Sequence, residues 1–99
     1  MYITFLTFSD NKVRAGQFMD GHNAWLKRGF DDGVFLLAGS LQPQRGGGIL
    51  ADGESTEALQ HRVDADPFVV ENIVSAAVHE LSPAKADQRL AFLLDPGSA

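Results

Sequence analysis

Two residues of this chain have the type and the setting to exchange a proton, His22 and Asp66. His22 lies in a proline-free stretch, about Lys12 to Asp32, whose apolar residues recur at helical spacing. Neighbours three and four apart share a helix face, so Ala15, Phe18, Met19, Trp25, Leu26 and Gly29 surround His22 on one stripe. An imidazole on an apolar face is costly unless another group hydrogen-bonds it. Two readings follow: a core histidine tied to a backbone carbonyl, or a proton carrier aimed into a pocket beneath the helix. Asp66 precedes Pro67, and proline disfavours helical geometry in the residue before it. Asp66 therefore marks a break, and reads either as a turn aspartate or as a carboxylate that orients His22. Asp31 and Asp32 lie too far along the helix of His22 to serve it and read as solvated. The cost of an unsatisfied buried polar group predicts a His22 nitrogen within hydrogen-bond reach of the Asp66 carboxylate, directly or through one water.

Other candidates surround this pair. Ser40 follows Gly39 late in an apolar strand; the glycine lets a ligand approach the backbone closely, and the serine reads either as a donor to a substrate oxygen or as a structural strand residue. Trp25, on the His22 stripe, and Arg45, in a glycine-rich turn, complete the candidate substrate-binding set. His22, His61 and His79 show no metal-ligand spacing, and the chain has no cysteine, which excludes thiolate zinc sites, disulfides and cysteine nucleophiles. No metal and no cofactor are expected. Gly46-Gly47-Gly48 is not followed by a lysine and serine or threonine, so it reads as a flexible hairpin turn rather than a phosphate loop. No Gly-x-Ser-x-Gly elbow is present.

The elements that must position these residues follow from the pattern. Ninety-nine residues make one domain. Residues 2–9 read as a strand, Lys12 to Asp32 as a helix stopped by Gly33, and Val34 to Gln42 as an apolar strand. A turn over Pro43–Gly48 leads into a short strand, Gly48 to Asp52. Ser55 then caps a helix running to about Ala65, and Ile73 to Leu81 forms the last core strand. The order is β-α-β-β-α-β, an α+β, ferredoxin-like arrangement in which a four-stranded antiparallel sheet carries two helices on one face. Both sheet faces are apolar. Leu6 and Phe8 oppose Ile3 and Phe5, and Val34, Leu36 and Ala38 oppose Phe35, Leu37 and Leu41. Two helices cover only one of these faces, so the other is expected to pack on a second copy across a two-fold axis, making a homodimer.

Beyond the core, Ser82-Pro83 reads as a helix start with Ala86, Leu90, Leu93 and Leu94 as its stripe, or residues 90–94 as a further strand, with Asp95-Pro96-Gly97 ending order. The division is residues 1–82 as the domain and 83–99 as a C-terminal extension. A net charge of −5 with eight scattered basic residues argues against nucleic acid, and no apolar run spans a bilayer. The first eight residues alternate apolar residues with threonines and read as a strand rather than a signal peptide. A cytoplasmic location is the expectation that fits a chain without cysteine.

Several of these residues together resemble the YCII-related (YciI-like) family. They are His22 with Leu26, Gly33 before Phe35-Leu36-Leu37-Ala38-Gly39, Ser55 opening the second helix, and Asp64-Ala65-Asp66-Pro67-Phe68. The resemblance covers about residues 1–82. It implies a ferredoxin-like fold in dimers of the α+β barrel type, and a pocket whose histidine and aspartate form an acid–base dyad, here His22 and Asp66. Some members of that family act in aromatic degradation, including dehydrochlorination of a ring compound; relatives with the same barrel are isomerases or cofactor-free oxygenases. Two positions depart from the family pattern. Phe18-Met19-Asp20-Gly21 stands where many members carry an arginine, and Ser40 where many carry proline. A missing arginine weakens the binding of an anionic substrate; Arg14 and Arg45 are the candidates to replace it. The resemblance implies a cofactor-independent lyase or isomerase acting on a small cyclic or aromatic metabolite. The alternatives are a dimeric ligand-binding or accessory module without turnover and a purely structural partner subunit.

Overall fold

In the computed structural model, which describes residues 1–94, the alternation of the first strand sets the two sides of the molecule. In β1 (Tyr2–Phe8), Tyr2, Thr4 and Leu6 are buried while Phe5 and Thr7 are exposed. α1 (Ala15–Asp31) follows a single 3-10 turn at Lys12–Arg14. It ends where Gly33 takes φ 75° and its N–H bonds the Phe30 carbonyl at 3.0 Å, a conformation open to glycine at little cost. β2 (Phe35–Leu41) and β3 (Gly46–Ala51) form a hairpin. α2 (Thr56–Asp64) begins at Ser55, whose side chain accepts the Ala58 N–H at 3.1 Å. A short helix, α3 (Pro67–Val70), precedes β4 (Val74–Glu80). The sheet order is β2-β3-β1-β4 with every neighbour antiparallel. This is the expected β-α-β-β-α-β, ferredoxin-like fold, with the helices on one face. Trp25, Leu59, Val63 and Phe68 from the helices pack there on Tyr2, Leu6, Phe35, Ile49, Ala51 and Val74 from the sheet.

Three local expectations need correction. The glycine run is not the turn. Gly46, Gly47 and Gly48 are β3 residues paired to Thr7, Leu6 and Phe5 of β1, and the turn is confined to the residues before them, with Arg45 N–H on the Leu41 carbonyl at 2.9 Å. Glycine content signals a turn locally, but pairing to the central strand draws the run into the ladder. The second correction concerns β2. A bulge between Phe35 and Leu37 breaks strict alternation, so Phe35 and Ala38 both face the helices while Leu37 faces the other way. An inserted residue in one strand produces this switch of face. Third, the tail forms neither the expected helix nor a strand over 90–94. It makes 3-10 turns at Gln88–Leu93, opened by Asp87 accepting the Arg89 N–H at 2.9 Å. Of the expected stripe, Ala86 and Leu90 stay exposed while Leu93 and Leu94 are half-buried, so it does not form one buried helical face. Asp95-Pro96-Gly97 lies outside the described residues.

Arg62 of α2 ties the helices together. Its guanidinium donates to both Glu54 carboxylate oxygens, at 3.1 and 2.8 Å, and to Asp32 at 3.0 Å. The hydrogen bond to Glu54 holds the guanidinium above its usual pKa, against the opposing effect of its burial. On the sheet face away from the helices, Ile3, Phe5, Leu37, Leu41 and Leu50 form an apolar surface, with Leu37 60% exposed. No helix among the described residues is long and apolar enough to cross a membrane.

Candidate active site

Asp66 occupies the step between α2 and α3 with an extended backbone, φ −60° and ψ 125°. Pro67 enforces that geometry and is itself suited to a first helical position, where its missing N–H removes no helical bond. The side chain of Asp66 turns inward and is fully buried. Its Oδ1 accepts the Phe68 N–H at 3.0 Å, capping α3, and lies 2.8 Å from His22 Nδ1. An oxygen already accepting from a backbone amide acts as an acceptor toward the imidazole as well, so Nδ1 carries a hydrogen. The carboxylate thus fixes the ring's tautomer, and Nε2 is left as the nitrogen free to take or give a proton.

Aromatic packing holds the imidazole in place. The His22 ring stacks on Phe68 with centroids 4.1 Å apart and planes 3° from parallel, and Trp25 lies beyond it at 5.7 Å. The His22 side chain is 12% exposed. Among the described residues, two buried polar atoms lack a hydrogen-bond partner, Asp66 Oδ2 and Thr4 Oγ1.

His22 lines a cavity of about 280 Å³ between α1 and the β3 side of the sheet. α1 contributes Met19, Asn23 and Leu26 as well as His22. The sheet contributes Leu6, Ala38, Ser40, Ile49 and the backbone of the glycine run, and Phe68 closes one side. The wall is mostly apolar, with His22, Asn23 and Ser40 as its polar side chains; among the described residues no lysine, arginine or carboxylate lines it. This is the composition of a small-molecule pocket, an apolar enclosure with few polar groups fixing orientation. A general acid–base residue against such a wall can move a proton to or from a neutral ring or its oxygen substituents.

The structure brings three of the five expected site residues together: His22 and Ser40 line the cavity, and Asp66 stands behind His22. The other two lie elsewhere. Trp25 is in the core, its indole N–H donating to the Arg62 carbonyl at 2.8 Å and its ring edge-on to Phe35 at 5.1 Å. The side chain of Arg45 is on the exposed turn. Arg14 pairs with Glu71 at 3.5 Å, 5.4 Å from the Phe18 ring centroid, so neither candidate arginine replaces the missing one in the cavity wall. Asn23 and Phe68 were not anticipated as site residues. Phe68 had a signal, since it follows the Asp-Pro step that places the carboxylate. Asn23 had none, because it lies next to His22 in sequence and off the apolar stripe. His61 is exposed on α2, and His79 stands on the open sheet face, 5.8 Å from the Phe5 ring.

No protein-family model matches the sequence, and no curated protein matches it either. A solved structure does. The chain is similar to the 5-chloro-2-hydroxyhydroquinone dehydrochlorinase TftG from Burkholderia phenoliruptrix AC1100, in its complex with 2,5-dihydroxybenzoquinone. The TM-score is 0.67 at 15% sequence identity, over 81% of this chain and 91% of that one. A likeness at that identity establishes a shared fold, and the fold is the α+β arrangement of TftG.

Proposed function

We propose that this chain is a YciI-like protein and a cofactor-independent lyase or isomerase acting on a small cyclic or aromatic metabolite, with residues 1–82 carrying the activity and 83–99 an extension. His22 removes or delivers the proton through Nε2, Asp66 holds its tautomer, and Ser40 and Asn23 meet oxygen substituents of the ring. The observation that carries this reading is the 2.8 Å His22–Asp66 pair set in the wall of a mostly apolar cavity. The described wall, whose polar side chains are His22, Asn23 and Ser40, favours a neutral substrate over an anionic one. The fold shared with TftG, a dehydrochlorinase solved with a quinone, supports a ring compound as ligand.

Proton abstraction from carbon has a direct readout. Incubated in D2O with a panel of hydroxylated and partly saturated ring compounds, the protein should speed deuterium exchange at a carbon acid of at least one of them, followed by NMR. A panel that binds without exchange would leave the second reading, a ligand-binding module without turnover. One observation favours that alternative: Asp66 Oδ1 is shared with the Phe68 amide, so the carboxylate has a structural duty independent of chemistry.

A second copy of the chain is the proposed cover for the open sheet face. Ile3, Leu37, Leu41 and Leu50 line a shallow apolar concavity there, and a surface of that character favours self-association through a two-fold axis. Sedimentation at micromolar concentration should give twice the chain mass, and replacing Leu37 with lysine should return the monomer. A monomeric wild type would rule this assembly out.

A further inference from the structure

We infer that Gly47 sets the size of the ligand admitted to the His22 cavity, an inference that rests on reading this cavity as a ligand site. Three glycines meet in β3 and two more stand where they touch neighbouring elements, but they are bare for different reasons. At Gly29 an added Cβ would overlap the Phe35 ring in the core. At Gly46 the backbone has φ 133° and an added Cβ would overlap the Leu6 carbonyl oxygen. Packing and backbone geometry require glycine at both. Gly47 has neither constraint. Its φ lies outside the left-handed region, and an added Cβ would meet only the Gly39 carbonyl oxygen, at 3.3 Å, a close contact that asks the β2 backbone to give by a few tenths of an ångström. Strand interiors disfavour glycine and favour β-branched residues, so the fold by itself would accept a side chain here.

The direction of that side chain follows from the pleat. Ile49 and Ala51, two and four residues on, are buried on the helix side, and strand residues two apart share a face. Position 47 therefore points toward the helices. Its cross-strand partners are Ser40 on β2 and Leu6 on β1, and both line the cavity that α1 roofs with Met19, His22 and Asn23. The space above Gly47 is thus the cavity itself. A single substituted ring fits a volume of about 280 Å³, given that an apolar cavity of roughly 150 Å³ can hold benzene. A valine at 47 would occupy the floor on which such a ring lies.

The test is binding, independent of turnover. Phenol is titrated into wild type, Gly47→Ala and Gly47→Val, with the His22 ring-proton shifts as readout and thermal melts in parallel. Wild type should bind phenol, Gly47→Ala should bind about tenfold more weakly, in line with the effect of one methylene-sized change in a pocket, and Gly47→Val should show no saturable shift. Neither melting temperature should fall. Undiminished binding by Gly47→Val would overturn the inference while leaving the cavity as a ligand site. Weaker binding that comes with a lowered melting temperature would also overturn it, by making Gly47 a structural requirement. Should Gly47→Val not fold, the inference is likewise overturned. A wild type that does not bind phenol would remove the cavity reading and the inference with it.

Discussion

Asp66→Ala should destabilise the domain by about 3–5 kcal/mol, as expected when one partner of a buried charged or hydrogen-bonded pair is removed. The carboxylate is 0% exposed. Its removal leaves the Phe68 N–H without its cap and His22 Nδ1 without its acceptor. An unsatisfied buried donor costs about 1–3 kcal/mol, and loss of a helix cap about 1 kcal/mol. A domain of this size has only about 5–15 kcal/mol in total, so the variant should sit near its folding threshold. Urea denaturation would show a lower midpoint at unchanged slope. Asp66→Asn separates the contributions. The amide oxygen can still accept from Phe68 and His22, and the NH2 falls where Oδ2 already lacks a partner. Its cost should be smaller, about 1–3 kcal/mol for one unsatisfied buried group. A loss under 1 kcal/mol in Asp66→Ala would mean that water enters and satisfies both donors, and the pair would then carry little of the fold's stability.

The proximity of Asp66 to His22 could be read from the sequence because two independent constraints pointed the same way. An imidazole on an apolar stripe needs a partner, and a proline break ends the second helix beside the first. Neither constraint depends on the details of packing. The failures share the opposite property. Trp25 lies on the same stripe as His22, but a stripe wide enough to cover a sheet faces both core and cavity. Only the packing of Phe35 against Trp25 and the Arg62 carbonyl above it decides that the indole belongs to the core. The bulge that separates Phe35 from Leu37 is likewise silent in a run of apolar residues, since Phe-Leu-Leu-Ala reads equally well in either register. For the glycine run, local composition pointed to a turn, while the pairing that makes it a strand comes from β1, some forty residues earlier in the chain. The cavity floor depends on that pairing, which is why the run's contribution to the site was invisible before the fold was known.

His22→Gln should lower the rate of the proton transfer by about 10²–10⁴-fold, the usual contribution of a positioned general acid or base, and leave most of the stability intact. Glutamine carries an NH2 that can donate to Asp66 Oδ1 in place of Nδ1–H, so the buried carboxylate keeps a partner. The variant loses the ring stacked on Phe68 at 4.1 Å, a contact worth about 0.5–1.5 kcal/mol, and its melting temperature should fall by a few degrees at most, as a change of that size implies for a domain of about 100 residues. It cannot relay a proton, because an amide has no basic nitrogen near neutral pH. The measurement is deuterium exchange on whichever ring compound the wild type turns over, together with the affinity for that compound. A lost rate at an affinity within a few-fold of wild type assigns the chemistry to His22, since an interaction used only in the transition state lowers the rate without weakening binding. Exchange that persists at the wild-type rate would remove His22 as the base and reduce the dyad to a buried structural pair. An affinity that falls in step with the rate would make the imidazole a binding group of the cavity wall and place the proton transfer elsewhere.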